Sequence, residues 1–247
     1  MGLEPTPTKF NHSSIVGAGS KPVLSLFKKL TVTTTPSPLQ GLYLITNDDA
    51  LSDLLPKLEV AFQTGIALLQ YRRKKTPAQL QEQEAQEIQL LSNHYKVSLV
   101  INDNLDLAER LQCGVHLGQG DGSLVKARER LGHHAIIGRT CHNSLKLALE
   151  ADKEGASYLA FGAVFPSSTK PNAQQVSVET LTKAKAMFEL PICAIGGLTA
   201  ENIAPVKAAG VDLYAVVSDI LDLPVSQIQK RINLWNQTIS DHKSLNF

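Results

Sequence analysis

From Gly41 onward, short apolar runs alternate with longer stretches whose apolar residues recur at helical spacing. Many of the apolar runs end in a cluster of polar residues, as the segments QYRRK and LVIND do. This alternation is typical of βα units, in which successive strands lie parallel. The pattern predicts eight strands, over residues 42–46, 67–71, 98–101, 114–117, 135–138, 158–162, 192–195 and 213–217.

Eight βα units predict an α/β protein of the closed (β/α)8 TIM-barrel type, a single domain that usually takes about 250 residues. The alternative architecture is a doubly wound open sheet, which usually carries a glycine-rich phosphate turn after its first strand. In this chain residues 46–49 read Thr-Asn-Asp-Asp at that place. The barrel is therefore the favoured fold.

The segments between the apolar runs predict helices, for example over residues 77–93 and 144–154. Four glycines come just before a predicted strand, where glycine commonly ends the preceding helix. They are Gly65, Gly114, Gly155 and Gly210. The positions of these glycines agree with regular βα units.

The ends of the chain differ from its middle. Residues 1–40 are rich in Pro, Ser, Thr and Gly without a sustained period, which predicts a flexible N-terminal leader. An organelle transit peptide is the alternative, because the leader holds four lysines and a single acid, but it has no arginine. We expect the barrel to occupy residues 41–240 and a short tail to occupy residues 241–247.

The composition of the chain indicates which class of molecule it binds. The chain of 247 residues is 43% hydrophobic and has 24 Lys and Arg against 23 Asp and Glu, a net charge of +1. A balanced charge argues against nucleic acid and membrane surfaces as partners and favours small molecules. The three cysteines form no CxxC pair, and no apolar run reaches the roughly 18 residues of a membrane span. We expect a cytoplasmic protein, and the oligomeric state stays open.

Two aspartates follow neighbouring predicted strands. Asp103 comes directly after the third strand, and Asp121 lies in the loop after the fourth. The carboxyl ends of parallel strands meet at one rim, and Mg²⁺ needs only one or two carboxylates beside substrate phosphates. The alternative is that both residues are helix N-caps, before Leu105 and Ser123.

Basic residues follow the second predicted strand. Arg72 and Lys74 are two apart, so in extended backbone their side chains share a face. Arginine can bind a diphosphate with two hydrogen bonds while lysine adds a point charge. Gln70 precedes them as an inward polar residue suited to a substrate ring. A solvated basic loop over residues 72–75, and a buried Gln70 bonded to backbone, are the alternatives.

Three later strand ends also suggest anion binding. The loop PSSTK, residues 166–170, offers hydroxyl groups and one cation, or is a polar surface turn. Gly196 and Gly197 end the seventh predicted strand, and Val217-Ser218 ends the eighth. In barrels the last two positions commonly bind phosphate through backbone N–H groups, although tight turns and a serine cap have the same sequence.

Two histidines lie near this rim. His142 follows the segment GRTC after the fifth predicted strand, and His116 lies inside the fourth. His142 has no carboxylate partner that the sequence reveals, so a hydrogen-bonded structural imidazole is favoured over the alternative of an acid/base. We interpret His116 as structural as well.

Seven motifs, taken in order, resemble the thiamine-phosphate synthase family: QYRRK, IND, GVHLGQGD, GRTCHN, AFGAVFPSSTKPNA, AIGG and AVVS. The resemblance spans roughly residues 41–232 and leaves out the leader. It implies a transferase of thiamine biosynthesis. Such an enzyme condenses 4-amino-2-methyl-5-pyrimidinylmethyl diphosphate with 4-methyl-5-(2-phosphoethyl)thiazole to give thiamine phosphate and diphosphate.

The resemblance also implies roles for particular residues. Those expected on the pyrimidine diphosphate are Gln70, Arg72, Lys74, Asn102, Thr140 and Lys170. Of these, Arg72, Lys74, Thr140 and Lys170 are expected to assist the reaction. Those expected on the thiazole phosphate are Ser167, Ser168, Thr169, Gly197, Val217 and Ser218. Asp103 and Asp121 are expected to hold Mg²⁺, the one cofactor that the resemblance implies.

Three positions depart from the family pattern. Arg73 stands where an acid is usual, Asn104 stands where Arg or Asp commonly follows the Asn-Asp pair, and Arg139 is bulkier than usual. Whether Arg73 enters the site is open at this point. Two other functions also stay open: a thiazole tautomerase of the same fold, which typically lacks the second metal acid, and a catalytically silent protein that binds thiamine precursors.

Overall fold

The computed structural model describes residues 39–166 and 175–241. In them eight parallel strands close into a barrel in the order β1 to β8, which confirms the (β/α)8 prediction. The strands are β1 (Gly41–Ile45), β2 (Leu68–Tyr71), β3 (Ser98–Asn102), β4 (Gly114–Leu117), β5 (Ile137–His142), β6 (Tyr158–Gly162), β7 (Ile192–Ile195) and β8 (Leu213–Val216). The loop residues 167–170, and the predicted leader and tail apart from residues 39–40 and 241, lie outside the described residues.

Helices alternate with the strands along the described chain. They are α1 (Leu51–Thr64), α2 (Ala78–Tyr95), α3 (Leu105–Leu111), α4 (Leu124–Leu131), α5 (Leu145–Lys153), α6 (Val178–Met187), α7 (Ala204–Ala208), α8 (Ser218–Leu221) and α9 (Val225–Ser240). Within the described ranges no helix is both long and apolar enough to cross a membrane.

The barrel separates two apolar cores. Inside it, residues such as Leu68, Val100 and Leu213 are fully buried. A larger core lies between the sheet and the surrounding helices, where α9 buries Trp235 and packs against α1. Because strand residues alternate between these cores, each strand reads as a nearly continuous apolar run.

The predicted bounds of the other strands hold to within one residue at each end, but those of the fifth strand were wrong. The apolar pattern predicted residues 135–138, but β5 runs from Ile137 to His142 and includes the polar segment Arg139-Thr140. The pairing of β5 with β6 shifts register between Thr140 and His142. The hydropathy pattern does not indicate the second half of this strand, because Arg139 and Thr140 are polar. Both are accommodated in the sheet because they form hydrogen bonds on its two faces.

One predicted helix-ending glycine was also wrong. Gly65, Gly155 and Gly210 follow helices with positive φ, as expected. Gly114 instead lies inside β4, where a Cβ atom would come within 2.4 Å of the Ile136 carbonyl oxygen. It is needed there for close approach of β5, and the preceding helix ends at Gln112 with φ of 52°.

Arg128 of α4 forms hydrogen bonds with turns at the amino end of the barrel. Its guanidinium donates to the carbonyl oxygens of Gly132 at 2.9 Å, Ala135 at 2.8 Å and Gly155 at 2.7 Å. These carbonyls belong to the turns that lead into β5 and β6. A charged donor shared by several carbonyls satisfies groups that the turns themselves leave unpaired.

We predict that Arg128→Ala lowers the free energy of unfolding by about 2–3 kcal/mol, because several carbonyl groups lose a charged donor. Urea denaturation measures this change. Arg110→Ala is the matched control, since Arg110 pairs with Glu82 on an exposed surface, and it should change stability by less than about 0.5 kcal/mol. Equal effects of the two substitutions would contradict the role given to Arg128.

Candidate active site

Polar residues at the end of β2 lie in two places, inside the barrel and at its rim. Gln70 is 3% exposed and donates its amide to the Tyr43 hydroxyl inside the barrel. The Thr46 hydroxyl accepts from the Arg72 amide at 2.8 Å and donates to the Arg72 carbonyl at 3.0 Å. Arg72 is half-buried and Lys74 is exposed at the rim. The backbone of the basic segment is thus held by the neighbouring strand end.

Arg73 does not enter the site. Its side chain is 4% exposed and forms a two-point ion pair with Glu84 of α2. It also donates to the carbonyl oxygens of Asn47 and Asp49 in the loop after β1. The positive charge that replaces an acidic residue therefore joins two loops, and it is neutralised away from the barrel axis.

Asp103 and Asp121 face each other at the ends of β3 and β4. The pKa of Asp103 is raised, first by burial and then by the hydrogen bond to Asp121 and its charge. Asn102 opposes this shift by donating to Asp103 at 2.6 Å, and the Lys74 charge opposes it as well. Asp121 accepts from the Gly118 amide at 3.1 Å. The basic and acidic residues predicted from separate strands are therefore neighbours.

The helix-cap alternative for the two aspartates does not hold. The cap of α3 is Asn104, whose side chain accepts from the Leu107 amide. The cap of α4 is Ser123, which accepts from the Lys126 amide. Asn104, a departure from the family pattern, thus has a structural role, and both carboxylates are left for other chemistry.

Arg139 is a site-forming residue that the sequence reasoning missed. It is buried, and it donates to the carbonyl oxygens of Gly118 at 2.7 Å and Gly122 at 3.1 Å. Those glycines flank Asp121, so Arg139 holds the loop that presents this carboxylate. The apolar pattern gave no signal for it, because a charged residue in the middle of a strand is usually a reason to end the strand.

Thr140 is tied to the inside of the barrel through His116. The Thr140 hydroxyl lies 2.9 Å from His116 Nε2, and His116 Nδ1 lies 2.8 Å from the Tyr158 hydroxyl. The pKa of His116 is lowered to about 4, first by burial and then by the Arg139 charge, against the opposing effect of the Asp121 charge. His116 is therefore a neutral imidazole. His142 lies at the end of β5, exposed, with φ of 51°.

The rim between β6 and β8 depends on close backbone approach. Gly197 has φ of 63°, and a Cβ atom there would come within 2.5 Å of the Pro166 carbonyl oxygen. Val217 precedes Ser218, the first residue of the one-turn helix α8. The predicted Ser167, Ser168, Thr169 and Lys170 lie outside the described residues, so their roles stay predictions.

Arg231 of α9 joins the two loops that frame this part of the rim. It donates to Glu201 in the loop after β7 and to Asp219 of α8, at 2.9 Å through Nε. Asp219 also accepts from the Trp235 indole at 2.6 Å. Because Asp219 is next to Ser218, this ion-pair network sets where the predicted phosphate site begins.

Within residues 39–166 and 175–241, no group of three or more His, Cys, Asp or Glu side chains is arranged to hold a metal ion. Asp103 and Asp121 form a pair of neighbouring carboxylates at the rim. Two carboxylates suit a hard cation that takes its remaining ligands from water and substrate.

The fold and this rim define a class of protein: a (β/α)8 barrel whose carboxyl rim carries basic groups beside a carboxylate pair. The model of the thiamine monophosphate synthase family matches residues 42–220. The chain belongs to this family, which confirms the family predicted from its motifs.

Solved structures agree with this assignment. The chain is similar to thiamine phosphate pyrophosphorylase from Pyrococcus furiosus, with 28% identity, a TM-score of 0.72, and coverage of 83% of this chain and 98% of that one. It shares the fold of thiamine phosphate pyrophosphorylase from Bacteroides thetaiotaomicron, with 18% identity, a TM-score of 0.61, and coverage of 80% and 96%.

The same fold occurs in (S)-3-O-geranylgeranylglyceryl phosphate synthase from Thermoplasma acidophilum, whose structure contains sn-glycerol-1-phosphate. Its identity is 14%, its TM-score 0.61, and the coverage is 83% of this chain and 94% of that one. At this identity the likeness concerns the fold alone.

We predict that Asp103→Asn stabilises the metal-free protein by about 1 kcal/mol at pH 7.5, after allowance for solvent screening. The substitution removes one of two facing carboxylates and keeps an acceptor for Asn102. Because the pKa of Asp103 is raised in the folded state, the wild-type penalty is absent below the ordinary aspartate pKa of about 3.9, grows as the pH rises from there to the raised pKa, and is fully present above it.

Thermal denaturation in EDTA across this pH range measures the effect. Asp106→Asn, at an exposed position of α3, is the control and should show no such gain. A loss of stability in Asp103→Asn at pH 7.5 would contradict the facing arrangement.

We predict that Arg231→Gln lowers the free energy of unfolding by about 2–3 kcal/mol, because it leaves the buried Asp219 without its cation. Asp219 is 10% exposed in this pair. Lys183→Gln removes an exposed pair with Glu179 within α6 and should have little effect. Urea denaturation of both variants compares them, and a loss in Arg231→Gln no larger than in Lys183→Gln would show that the network is dispensable.

Proposed function

We propose that this chain is a thiamine-phosphate synthase. It joins 4-amino-2-methyl-5-pyrimidinylmethyl diphosphate to 4-methyl-5-(2-phosphoethyl)thiazole and releases diphosphate. The observation that carries the proposal is the facing pair Asp103 and Asp121 beside the basic end of β2, in a chain of the thiamine monophosphate synthase family.

The basic residues that follow β2 bind the diphosphate. Arg72 supplies the planar guanidinium that can hold two phosphate oxygens, and Lys74 adds a mobile charge. The Thr46 bonds to the Arg72 backbone fix where that side chain starts. Asn102, which donates to Asp103, orients the acidic side of the same site. Lys170 is assigned to the departing diphosphate by the family resemblance.

The acidic pair fits Mg²⁺. Asp103 and Asp121 offer oxygen ligands without soft sulfur or imidazole donors, which suits a hard cation. Burial and then the neighbouring Asp121 carboxylate raise the pKa of Asp103, and a bound cation would offset the repulsion between the two carboxylates. The chemistry that bound Mg²⁺ supplies is neutralisation of the charge that grows on the departing diphosphate.

The protein need not supply a nucleophile. In the family reaction the diphosphate leaves first, and the nitrogen of the thiazole captures the pyrimidine cation. Burial raises the pKa of Cys113 and Cys141 to about 12 and that of Cys193 further, so the three cysteines stay protonated thiols. The site's contribution is to hold both substrates and to exclude water from the cation.

The thiazole phosphate is assigned to the last part of the rim. Gly197, Val217 and Ser218 bring backbone groups from the ends of β7 and β8 to one place. The single turn of α8 contributes N–H groups more than a helix dipole, because a dipole needs several aligned turns. Ser167, Ser168 and Thr169 are assigned to the thiazole by the family resemblance.

We predict that the purified chain forms thiamine phosphate and diphosphate from the two precursors only when Mg²⁺ is added. Asp121→Ala should lower turnover by at least about a hundredfold, because the cation loses half of its protein ligands. Product formation is followed by diphosphate release and by chromatography. Asp152→Ala, at an exposed position of α5, is the matched control and should retain wild-type turnover.

Two outcomes would replace the proposal with another function. Isomerisation of the thiazole without condensation identifies a tautomerase. Tight binding of both precursors without turnover identifies a silent binding protein.

A further inference from the structure

We propose that five side chains form a one-way hydrogen-bond relay through the barrel, and that this relay sets which group Gln70 and Thr140 present to the substrate. In order they are Gln70, Tyr43, Tyr158, His116 and Thr140. We assign Tyr43, Tyr158 and His116 as positioning residues. The substrate assignment rests on the proposed function, whereas the relay itself does not.

The relay is continuous and crosses the barrel. Gln70 donates to the Tyr43 hydroxyl, which lies 2.7 Å from the Tyr158 hydroxyl. Tyr158 lies 2.8 Å from His116 Nδ1, and His116 Nε2 lies 2.9 Å from the Thr140 hydroxyl. The members come from five strands. Throughout residues 39–166 and 175–241, every buried side-chain nitrogen and oxygen has a hydrogen-bond partner.

Each hydroxyl and the neutral ring has one proton to donate, so the direction of one bond determines the next. Since Gln70 donates to Tyr43, the Tyr43 proton goes to Tyr158, and the Tyr158 proton goes to His116 Nδ1. His116 then carries its own proton on Nε2 and donates it to Thr140. Burial raises the pKa of both tyrosines, so their hydroxyl groups stay protonated.

The end groups follow from that direction. The Thr140 proton is left to donate outward, and the Gln70 side-chain oxygen is left to accept. A 4-aminopyrimidine offers an amine that donates and a ring nitrogen that accepts, which matches this pair. The 4-oxo counterpart reverses both groups and would leave buried polar atoms unpaired.

A glycine in β5 leaves the room that two rings of the relay occupy. Gly138 pairs with His116 on one side and with Tyr158 on the other. A Cβ atom at Gly138 would lie 2.1 Å from Tyr158 Cζ and 2.5 Å from His116 Nδ1. The missing side chain lets the two rings meet across β5, stacked with 5.6 Å between their centroids. Tyr43 meets Tyr158 edge to face at 5.7 Å.

The first test reads the tautomer of His116 by ¹⁵N NMR of histidine-labelled protein. We expect the proton on Nε2 in the wild type. In Gln70→Glu an ionised carboxylate can only accept, so the whole relay reverses and the proton moves to Nδ1, three hydrogen bonds from the substitution. The ¹³C shift of the introduced carboxyl group shows the pH at which it is ionised. A wild-type proton on Nδ1, or an unchanged tautomer beside an ionised carboxylate, overturns the relay.

The second test uses Tyr158→Phe, which interrupts the relay and keeps the ring. We expect the preference for the 4-amino over the 4-oxo pyrimidine diphosphate, measured by calorimetry, to fall roughly tenfold. Tyr214→Phe is the matched control, because its hydroxyl donates to the Val211 carbonyl outside the relay, and it should keep the wild-type ratio. An unchanged ratio in Tyr158→Phe overturns the specificity role. The tautomer does not depend on turnover, so failure of the proposed function would leave the first test intact.

Discussion

Pairing between β1 and β8 closes the sheet, and the rest of the site depends on that closure. Gly41 pairs with Leu213 and Leu44 with Val216, so the first and last strands are neighbours. A closed parallel sheet places every carboxyl end on one rim, whatever the distance along the chain. The basic segment after β2 lies beside the acids after β3 and β4 through direct strand pairing, and closure brings the ends of β7 and β8 round to the same rim.

The barrel interior holds polar side chains beside its apolar core, and the hydrogen-bond relay connects them. Buried polar groups are stabilising only when each has its partner, and here the donors and acceptors form an unbroken series. Gly138 makes the series possible, because any side chain there would separate His116 from Tyr158. The interior therefore positions the hydrogen-bonding groups of Gln70 and Thr140 as well as packing beneath the rim.

The basic residues at this rim form two groups, one that holds loops in place and one that is available to a substrate. Arg73 and Arg139 are buried against carbonyl groups or a carboxylate, and Arg231 joins two loops through ion pairs. Each holds a loop that carries a candidate site residue. Arg72 and Lys74 belong to the other group. A formal net charge of +1 hides this division, since several of the charges are neutralised within the fold.

The sequence alone determined the eight strands, the closed barrel and the family, because burial between two apolar cores produces apolar runs and the motifs follow those runs in order. It also placed Asp103 and Asp121 on neighbouring strands. Only the tertiary structure decided that they face each other, that Arg73 turns away, and that β5 extends through Arg139 and Thr140. These outcomes depend on partners distant in sequence, which no local pattern of hydropathy or charge can reveal.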